Sequence, residues 1–406
     1  MTSKTNGGAP QPLAGIRVLD VSNYVAGPYC CTQLGEFGAE VIKFEMPKVG
    51  DPLRNFGTRT DCGETLPWLS EGRNKKSVTL NLKSPEGAEM LRKIAATADV
   101  VVENFRPGVM EGWGLGYDDL KKNNPGLIMV RISGFGQTGP YKNRPGFGRI
   151  ANAFSGISFL AGFPDRPPVT PGSATLADYL AGLYGSLGVM FALRVRDETG
   201  AGQMIDIGLY EAVFRILDEL APAYDYGKFV RQRMGPSTVN VCPHSHYPTG
   251  DDRWLAIACT TDKIFARLAK VMEQPEVAGE GKYGTFEKRW AVREEVDAWV
   301  AEWTGARTRD EALAACAEGE VPAGPVYAID EIFEDPQYAA RENMLEMKDP
   351  RIGSLKIPNA MPRMSETPAQ INSLGPSLGE HNAEIYGDLL GLNADRLKEL
   401  AEKGVV

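Results

Sequence analysis

Residues 16–44 read IRVLDVSNYVAGPYCCTQLGEFGAEVIKF, and this stretch decides the fold class. Ile16 to Val21 is a short aliphatic run that reads as a strand. Tyr29 to Phe37 reads as a helix and is stopped by Gly38. Ala39 to Phe44 is the next strand. The pattern continues outward: Ser84 to Thr97 predicts a helix with Ser84 as N-cap and Pro85 in its first position, followed by the strand Asp99 to Glu103. Another strand, Leu127 to Ile132, follows the turn at Asn124-Pro125-Gly126. Strands alternating with helices predict an α/β fold whose parallel sheet is covered on both faces.

A Pro-rich loop, Gly162 to Pro171, leads into a long helix near Leu176 to Val195. Asp197 to Gly200 then turns the chain into the strand Gln203 to Ile207, and Leu209 to Ala221 reads as helical. Composition shifts near Arg231. Residues 250–330 have their own strand, Trp254 to Cys259, and helices rich in Ala, Glu and Lys, so a smaller α/β domain is expected there. From about Asp335 an extended stretch returns to a last helix, Asn382 to Leu390. A chain of 406 residues exceeds one typical core. The expected division is a large domain beginning with 1–225, a small one at 226–334, and a return segment at 335–406 that completes the large domain.

The net charge of -9 argues against general nucleic-acid binding, which needs a basic surface. The six cysteines have no metal-ligand spacing, and only three histidines could assist them, so no metal and no redox cofactor is expected. The first residues, MTSKTNGGAPQP, are polar and read as flexible, with no apolar signal core. The apolar run Ala181 to Leu193 reads as too short to span a bilayer. A cytoplasmic protein with no membrane partner is the expectation.

Gly134-Phe135-Gly136-Gln137-Thr138-Gly139 matches the dinucleotide fingerprint and follows a strand. Pro140 and Pro145 prevent the helix that the motif requires, and no acid lies about 20 residues on. A mobile glycine loop is the better reading. Basic residues gather in the first 150 positions (Lys43, Arg54, Arg73, Lys75, Lys76, Arg106, Lys142, Arg144), several of them where strands end. Ligands of open parallel sheets bind at those carboxyl ends, and such cations suit phosphates.

Asp178 is the only acid between Asp165 and Asp197 and stands at the start of the long helix. With Thr175 as N-cap it occupies the N3 position of a capping box, and spacing alone favours that role. The same place has a chemical use, because a positive helix end lowers a carboxylate's pKa and keeps a nucleophile ionised. Glycines 182, 185 and 188 leave one face of this helix bare for close packing. His244, His246 and His381 form no catalytic triad, and no Gly-x-Ser-x-Gly elbow is present.

Several stretches together carry a resemblance. They are Pro12 to Asp20, Ala26-Gly27-Pro28, Leu34-Gly35 through Ile42 to Glu45, and Asn74-Lys75-Lys76-Ser77. They continue with Val102 to Gly108, Gly134-Phe135-Gly136, Gly200 to Gln203, Val321 to Val326 and Leu378-Gly379-Glu380-His381. In this order and spacing the chain resembles the class III CoA-transferases, relatives of formyl-CoA transferase, carnitine CoA-transferase and α-methylacyl-CoA racemase. The resemblance implies an interlocked ring dimer whose Rossmann-like large domain is built from both chain ends. It places the nucleophile at Asp178 and CoA contacts at Asn23, Tyr24, Ala26, Lys75, Asn104, Phe105 and Arg106, with CoA as substrate and no other cofactor. The racemase branch relies on a histidine where this chain has Phe147, which leaves two-base proton exchange without one partner. Transferases usually keep an acid at the place of Gly148, and the glycine-rich loop of formyl-CoA transferase is not visible near Val239 to Thr249.

The resemblance further implies a donor such as succinyl-CoA, a dicarboxylate acceptor such as L-malate, and transfer through an aspartyl-CoA intermediate. Arg144, Arg149 and His246 are expected to face a distal carboxylate. The partner is a second copy or a related subunit. A racemase-like isomerase and a non-catalytic paralogue are the alternatives; Phe147 speaks against the first and Asp178 against the second.

Overall fold

In the computed structural model, which describes residues 11–406, six strands form one parallel sheet. They are β1 (Arg17–Asp20), β2 (Glu40–Glu45), β3 (Lys75–Thr79), β4 (Val100–Glu103), β5 (Ile128–Ser133) and β6 (Met204–Gly208), in the order β3-β2-β1-β4-β5-β6. Residues 1–10 of the stretch expected to be polar and flexible lie outside the described residues.

The sheet reads as apolar runs because both faces are covered. Successive side chains on a strand point to opposite faces. Val18, Val41, Val100, Val102, Ile128 and Val130 therefore pack on one side, while Leu19, Ile42, Val78, Val101 and Met129 pack on the other. The first face is covered by α1 (Ala26–Glu36) and by the long helix Leu176–Thr199; the second by the helix Pro85–Ala95 and the C-terminal helices. Ser84 caps the Pro85–Ala95 helix through the Gly87 N–H, 3.0 Å away.

Strand β3 was not legible as a strand, since Lys75-Lys76-Ser77-Val78-Thr79 is mostly polar. It is the sheet edge, and the returning C-terminal segment covers it. Asn382 accepts from the Thr79 N–H (2.8 Å) and donates to its hydroxyl (2.7 Å). The buried Tyr386 hydroxyl donates to the Thr79 carbonyl at 2.7 Å.

The chain divides into two compact units. One comprises the residues up to Ser158, Thr170–Val230 and Ala340–Val406; the other comprises Phe159–Val169 and Arg231–Ala339. The second contains an antiparallel sheet of β7 (His244–Pro248), β8 (Trp254–Ala258) and β9 (Ala323–Pro325). Leu255, Ile257, Phe265, Val296 and Trp303 form its core. The tail of the first unit differs from a plain extended return. It holds the hairpin β10 (Met344–Asp349) and β11 (Gly353–Pro358), and a helix Ala394–Glu402 follows Asn382–Leu390. The helix expected over Leu209 to Ala221 is broken into Leu209–Phe214 and Leu220–Gly227, with Asp218 between them at a left-handed φ of 44°.

A short helix, α2 (Gly148–Ser155), precedes the long helix, here α3 (Leu176–Thr199). At 24 residues α3 exceeds the apolar run read from sequence, and by length and composition it could cross a membrane. Its glycines instead serve packing. A Cβ on Gly182 would stand 2.7 Å from the Ala26 carbonyl of α1, and one on Gly185 would stand 3.0 Å from Cys30 Sγ. The α1–α3 contact thus depends on missing side chains. Gly182→Leu is expected to force the helices apart and lower unfolding stability by about 1–3 kcal/mol, measured by urea denaturation; an unchanged midpoint would refute the close contact.

Candidate active site

Strand order reverses between β1 and β4, and in open α/β sheets ligands bind outside the carboxyl ends of the strands at such a switch point. The loops after these two strands are tied directly together. Asn104, after β4, accepts from the Asn23 N–H (2.7 Å) and donates to the Asn23 carbonyl (2.6 Å). Tyr24 follows with a left-handed φ of 63°, and its N–H donates to Asp51 at 3.0 Å. An aromatic residue held in that region is strained, and such strain gathers at functional sites. On the β4 side, Glu103 accepts from the Phe105 N–H at 2.7 Å and pairs with Arg131 at 2.6 Å. Burial pushes the Glu103 carboxyl up to about 7, against the pull of Arg131.

A cavity of about 250 Å³ opens over these loops. Asn23, Tyr24, Ala26, Asn104, Phe105, Arg106, Arg144 and Asp178 all line it, joined by Lys142, Gly134 and Phe147. Arg106 and Lys142 are exposed, and Arg144 stacks on Tyr141 with 3.7 Å between guanidinium and ring centre. The wall therefore offers three cations beside one carboxylate. The glycine loop at 134–139 is held rather than free. Both Asp206 carboxylate oxygens accept from the Gln137 N–H at 3.0 Å, and Gly134 lies so close to Gly146 that a Cβ would stand 2.8 Å from its Cα.

Asp178 occupies the N3 position of α3, but the capping box does not form. Thr175 makes no side-chain cap bond; its hydroxyl pairs with Ser173 at 2.7 Å. The Asp178 carboxyl instead lies against the first residue of α2, where a Cβ on Gly148 would stand 2.1 Å from Oδ2 and 2.8 Å from the Ala174 carbonyl. The glycine is the space that the carboxylate fills, a role invisible to spacing. Its charge sits close to the positive end of α2. Burial nevertheless outweighs any lowering and pushes the Asp178 carboxyl up to about 6, which corrects the expectation of a depressed value.

Lys75 and Arg149, both expected at the site, stand elsewhere in the first unit. Lys75 is 3% exposed; its ammonium is held by Asp20 (3.0 Å) and the Pro28 carbonyl (2.6 Å), and it does not line the cavity. Arg149 donates to Thr170 at 3.1 Å and does not line the cavity. His246 lies on β7, in the second unit. Among the described residues no group of three His, Cys, Asp or Glu side chains is placed to hold a metal.

Comparison with known proteins adds an independent line. The family model for CoA-transferase family III matches residues 13–382. The alpha subunit of succinyl-CoA--L-malate CoA-transferase from Chloroflexus aurantiacus is 50% identical over 407 aligned positions, covering 100% of this chain and 95% of the relative. The beta subunit of that name is 52% identical over 398, covering 97% and 98%. The crystal structure of a CAIB/BAIF family protein from Brucella suis superposes with a TM-score of 0.82 at 34% identity, covering 94% of this chain and 100% of that one.

The raised Asp178 pKa has a sign that stability can report. The native carboxyl keeps its proton to about pH 6 and a free one only to 3.8, so protons favour the native state and stability falls as pH rises through that window. Asp178→Asn removes the effect. The variant is expected to exceed wild type at pH 7.5 by on the order of 2–3 kcal/mol, with a clearly smaller advantage at pH 4.5. Urea titrations at both pH values check this; an advantage independent of pH would contradict it.

Proposed function

The chain belongs to CoA-transferase family III and is a CoA-transferase; from that premise we propose that it moves CoA from succinyl-CoA to a dicarboxylic acid such as L-malate, with Asp178 carrying CoA between them. The observation that carries this reading is the Asp178 carboxylate in a cavity lined by Arg106, Lys142 and Arg144. CoA is rich in phosphate, and exposed Arg and Lys side chains bind phosphate by charge-assisted hydrogen bonds.

In the first step an Asp178 oxygen attacks the thioester carbonyl, CoA leaves as thiolate, and a mixed anhydride joins Asp178 to the donor acid. The thiolate then attacks the Asp178 carbonyl, the donor acid leaves as carboxylate, and an aspartyl-CoA thioester remains. The acceptor carboxylate attacks that thioester and expels the thiolate, which takes the acceptor's acyl group and restores Asp178. Each oxyanion forms beside the start of α2, whose backbone N–H groups favour negative charge. Dividing the exchange this way keeps the energy of the donor bond while the two acids change places.

The assembly belongs to the same reading. Along α3, Leu183, Leu187 and Met190 line an apolar groove of about 930 Å³ together with Met361 and Met364. Leu183, Leu187, Met190, Met361 and Met364 are all exposed, and a row of exposed apolar side chains suits an interface. We place there a second copy of the chain or a related subunit, interlocked with the first. Leu187→Arg combined with Met190→Arg is expected to shift the protein toward monomer in light scattering, and an unshifted mass would count against the groove as interface.

The covalent step has its own test. Incubation with succinyl-CoA and no acceptor, followed by hydroxylamine, is expected to modify one peptide, Ala174 to Ala181, and Asp178→Ala should lose both this label and turnover. Because attack needs the ionised carboxylate, kcat/KM is expected to fall as pH drops through about 6. A protein that exchanges the α-proton of an acyl-CoA and gains no mass would overturn the transferase mechanism.

A further inference from the structure

Of the three cations in the cavity wall, Arg144 is joined to the Asp178 contact by the shortest length of chain. It stands four residues before Gly148, against which the Asp178 carboxyl rests, and it lines the cavity itself. Four residues span at most about 14 Å even when fully extended. Lys142 is two residues further away, and Arg106 belongs to the loop after β4.

The Arg144 guanidinium is held without being used. Among the described residues no acceptor engages its N–H groups, while one face lies on the Tyr141 ring, 3.7 Å from its centre. A guanidinium stacked this way keeps its donors at the rim, where a carboxylate can meet two of them at once. The backbone sets up the stack. The Arg144 N–H donates to the Tyr141 carbonyl at 2.8 Å, closing a turn that brings the side chain back over the ring. Tyr141 is braced in its turn. Phe135 and Phe154 both meet it edge to face, with ring centres 6.0 Å away in each case. Those two rings stand 5.2 Å from each other, and Tyr210 closes the group at 5.0 Å from Phe154. Phe154 lies on α2, whose first residue is Gly148. The platform under Arg144 and the support of Asp178 therefore share one element.

We propose that Tyr141 is a positioning residue that holds Arg144 to receive the distal carboxylate of the transferred acid, the one not joined to CoA. The inference rests on the reading of Asp178 as the transferring group. In a four-carbon diacid the distal carboxylate is three carbon–carbon bonds from the reacting carbon, no more than about 4.5 Å. It must therefore find its cation close to Asp178. The phosphates of CoA stand at the far end of the pantetheine arm, so the more remote Arg106 and Lys142 suit them. A fork fixed in direction by a ring binds a planar carboxylate with less ordering to complete than a free arginine needs. Donor and acceptor acids both carry that second carboxylate, so one fork serves both halves of the exchange.

The test compares wild type with Tyr141→Phe, Tyr141→Leu, Arg144→Gln and the Tyr141→Leu/Arg144→Gln double variant, each as the purified assembly. With succinyl-CoA as donor, kcat/KM for L-malate reads the carboxylate. Calorimetric binding of free CoA, which has the phosphates and no such carboxylate, reads the other source of negative charge. Arg144→Gln is expected to lower kcat/KM for malate by about tenfold or more and to leave the Kd of CoA within about twofold. Tyr141→Leu should lower kcat/KM by about two- to fivefold, the size of an exposed cation–π contact. Tyr141 is exposed and outside the core, so its replacement leaves the fold intact. Tyr141→Phe keeps the ring and should match wild type. The double variant should be no worse than Arg144→Gln alone, because Tyr141 acts only through Arg144; independent losses would multiply. Multiplied losses, or a Tyr141→Phe defect equal to that of leucine, overturn the positioning role. A CoA Kd that rises as much as malate kcat/KM falls puts the fork on a phosphate and overturns the assignment. Wild type that exchanges no labelled succinate into succinyl-CoA would defeat the transferase reading instead, and calorimetric binding of L-malate to the same variants then decides the fork.

Discussion

The site depends on a set of charges buried under the β1–α1 loop. Asp20, Lys43, Asp51 and Lys75 are each 3% exposed or less. Asp20 accepts from the Ser22 N–H and hydroxyl through one oxygen and from Lys75 through the other. Lys43 bridges Asp20 and Asp51 and also donates to the Ser22 carbonyl. Burial opposes the charge on Asp20, yet Lys43 and Lys75 hold its carboxyl below the usual range. Isolated ions cannot persist in such a place, since desolvation costs several kcal/mol for each. As a network they fix the backbone of Ser22 to Tyr24, and Asp51 uses its second oxygen to hold the Tyr24 N–H. The strained Tyr24 is thus kept in place by buried charges that do not themselves line the cavity.

This arrangement explains what the sequence could and could not tell. Val18, Ile42, Val101 and Ile128 declared their strands because both sheet faces are covered and apolar runs have no other use. Lys75 was read as a cation and, through the resemblance, as a CoA contact, beside a strand that itself went unread. Nothing in the spacing says whether a lysine at a sheet edge points to solvent or folds back onto Asp20, because that choice is made by residues 55 positions away. Asn23 and Asn104 carry a similar lesson. Their contact joins loops 81 residues apart, and only the family resemblance placed the two side by side. The cations divide as well: Arg106 and Arg144 reach the cavity, while Arg149 was assigned by type and lies outside it.

In the role proposed for it, Asp178 meets two opposing demands. A carboxylate that attacks a thioester must be ionised, which favours exposure and positive neighbours. A reaction through an anhydride must exclude water, which favours burial and raises the pKa. At a value of about 6 the group is still roughly nine-tenths ionised at pH 7. The lowering expected from a helix start was outweighed because position on a helix says nothing about depth.

Gly148 shows how those demands are met in space. With no side chain there, the Asp178 carboxyl rests against the opening turn of α2, close to N–H groups that no helical carbonyl satisfies. Any Cβ at this position would collide with the carboxyl and with the Ala174 carbonyl, so the carboxylate could not hold this orientation unless α2 or α3 moved. An acidic side chain at 148 would add a like charge beside the Asp178 carboxyl and raise its pKa further. The glycine therefore couples two features that a larger residue would separate: a half-buried carboxyl, and a helix end near enough to favour its charged form.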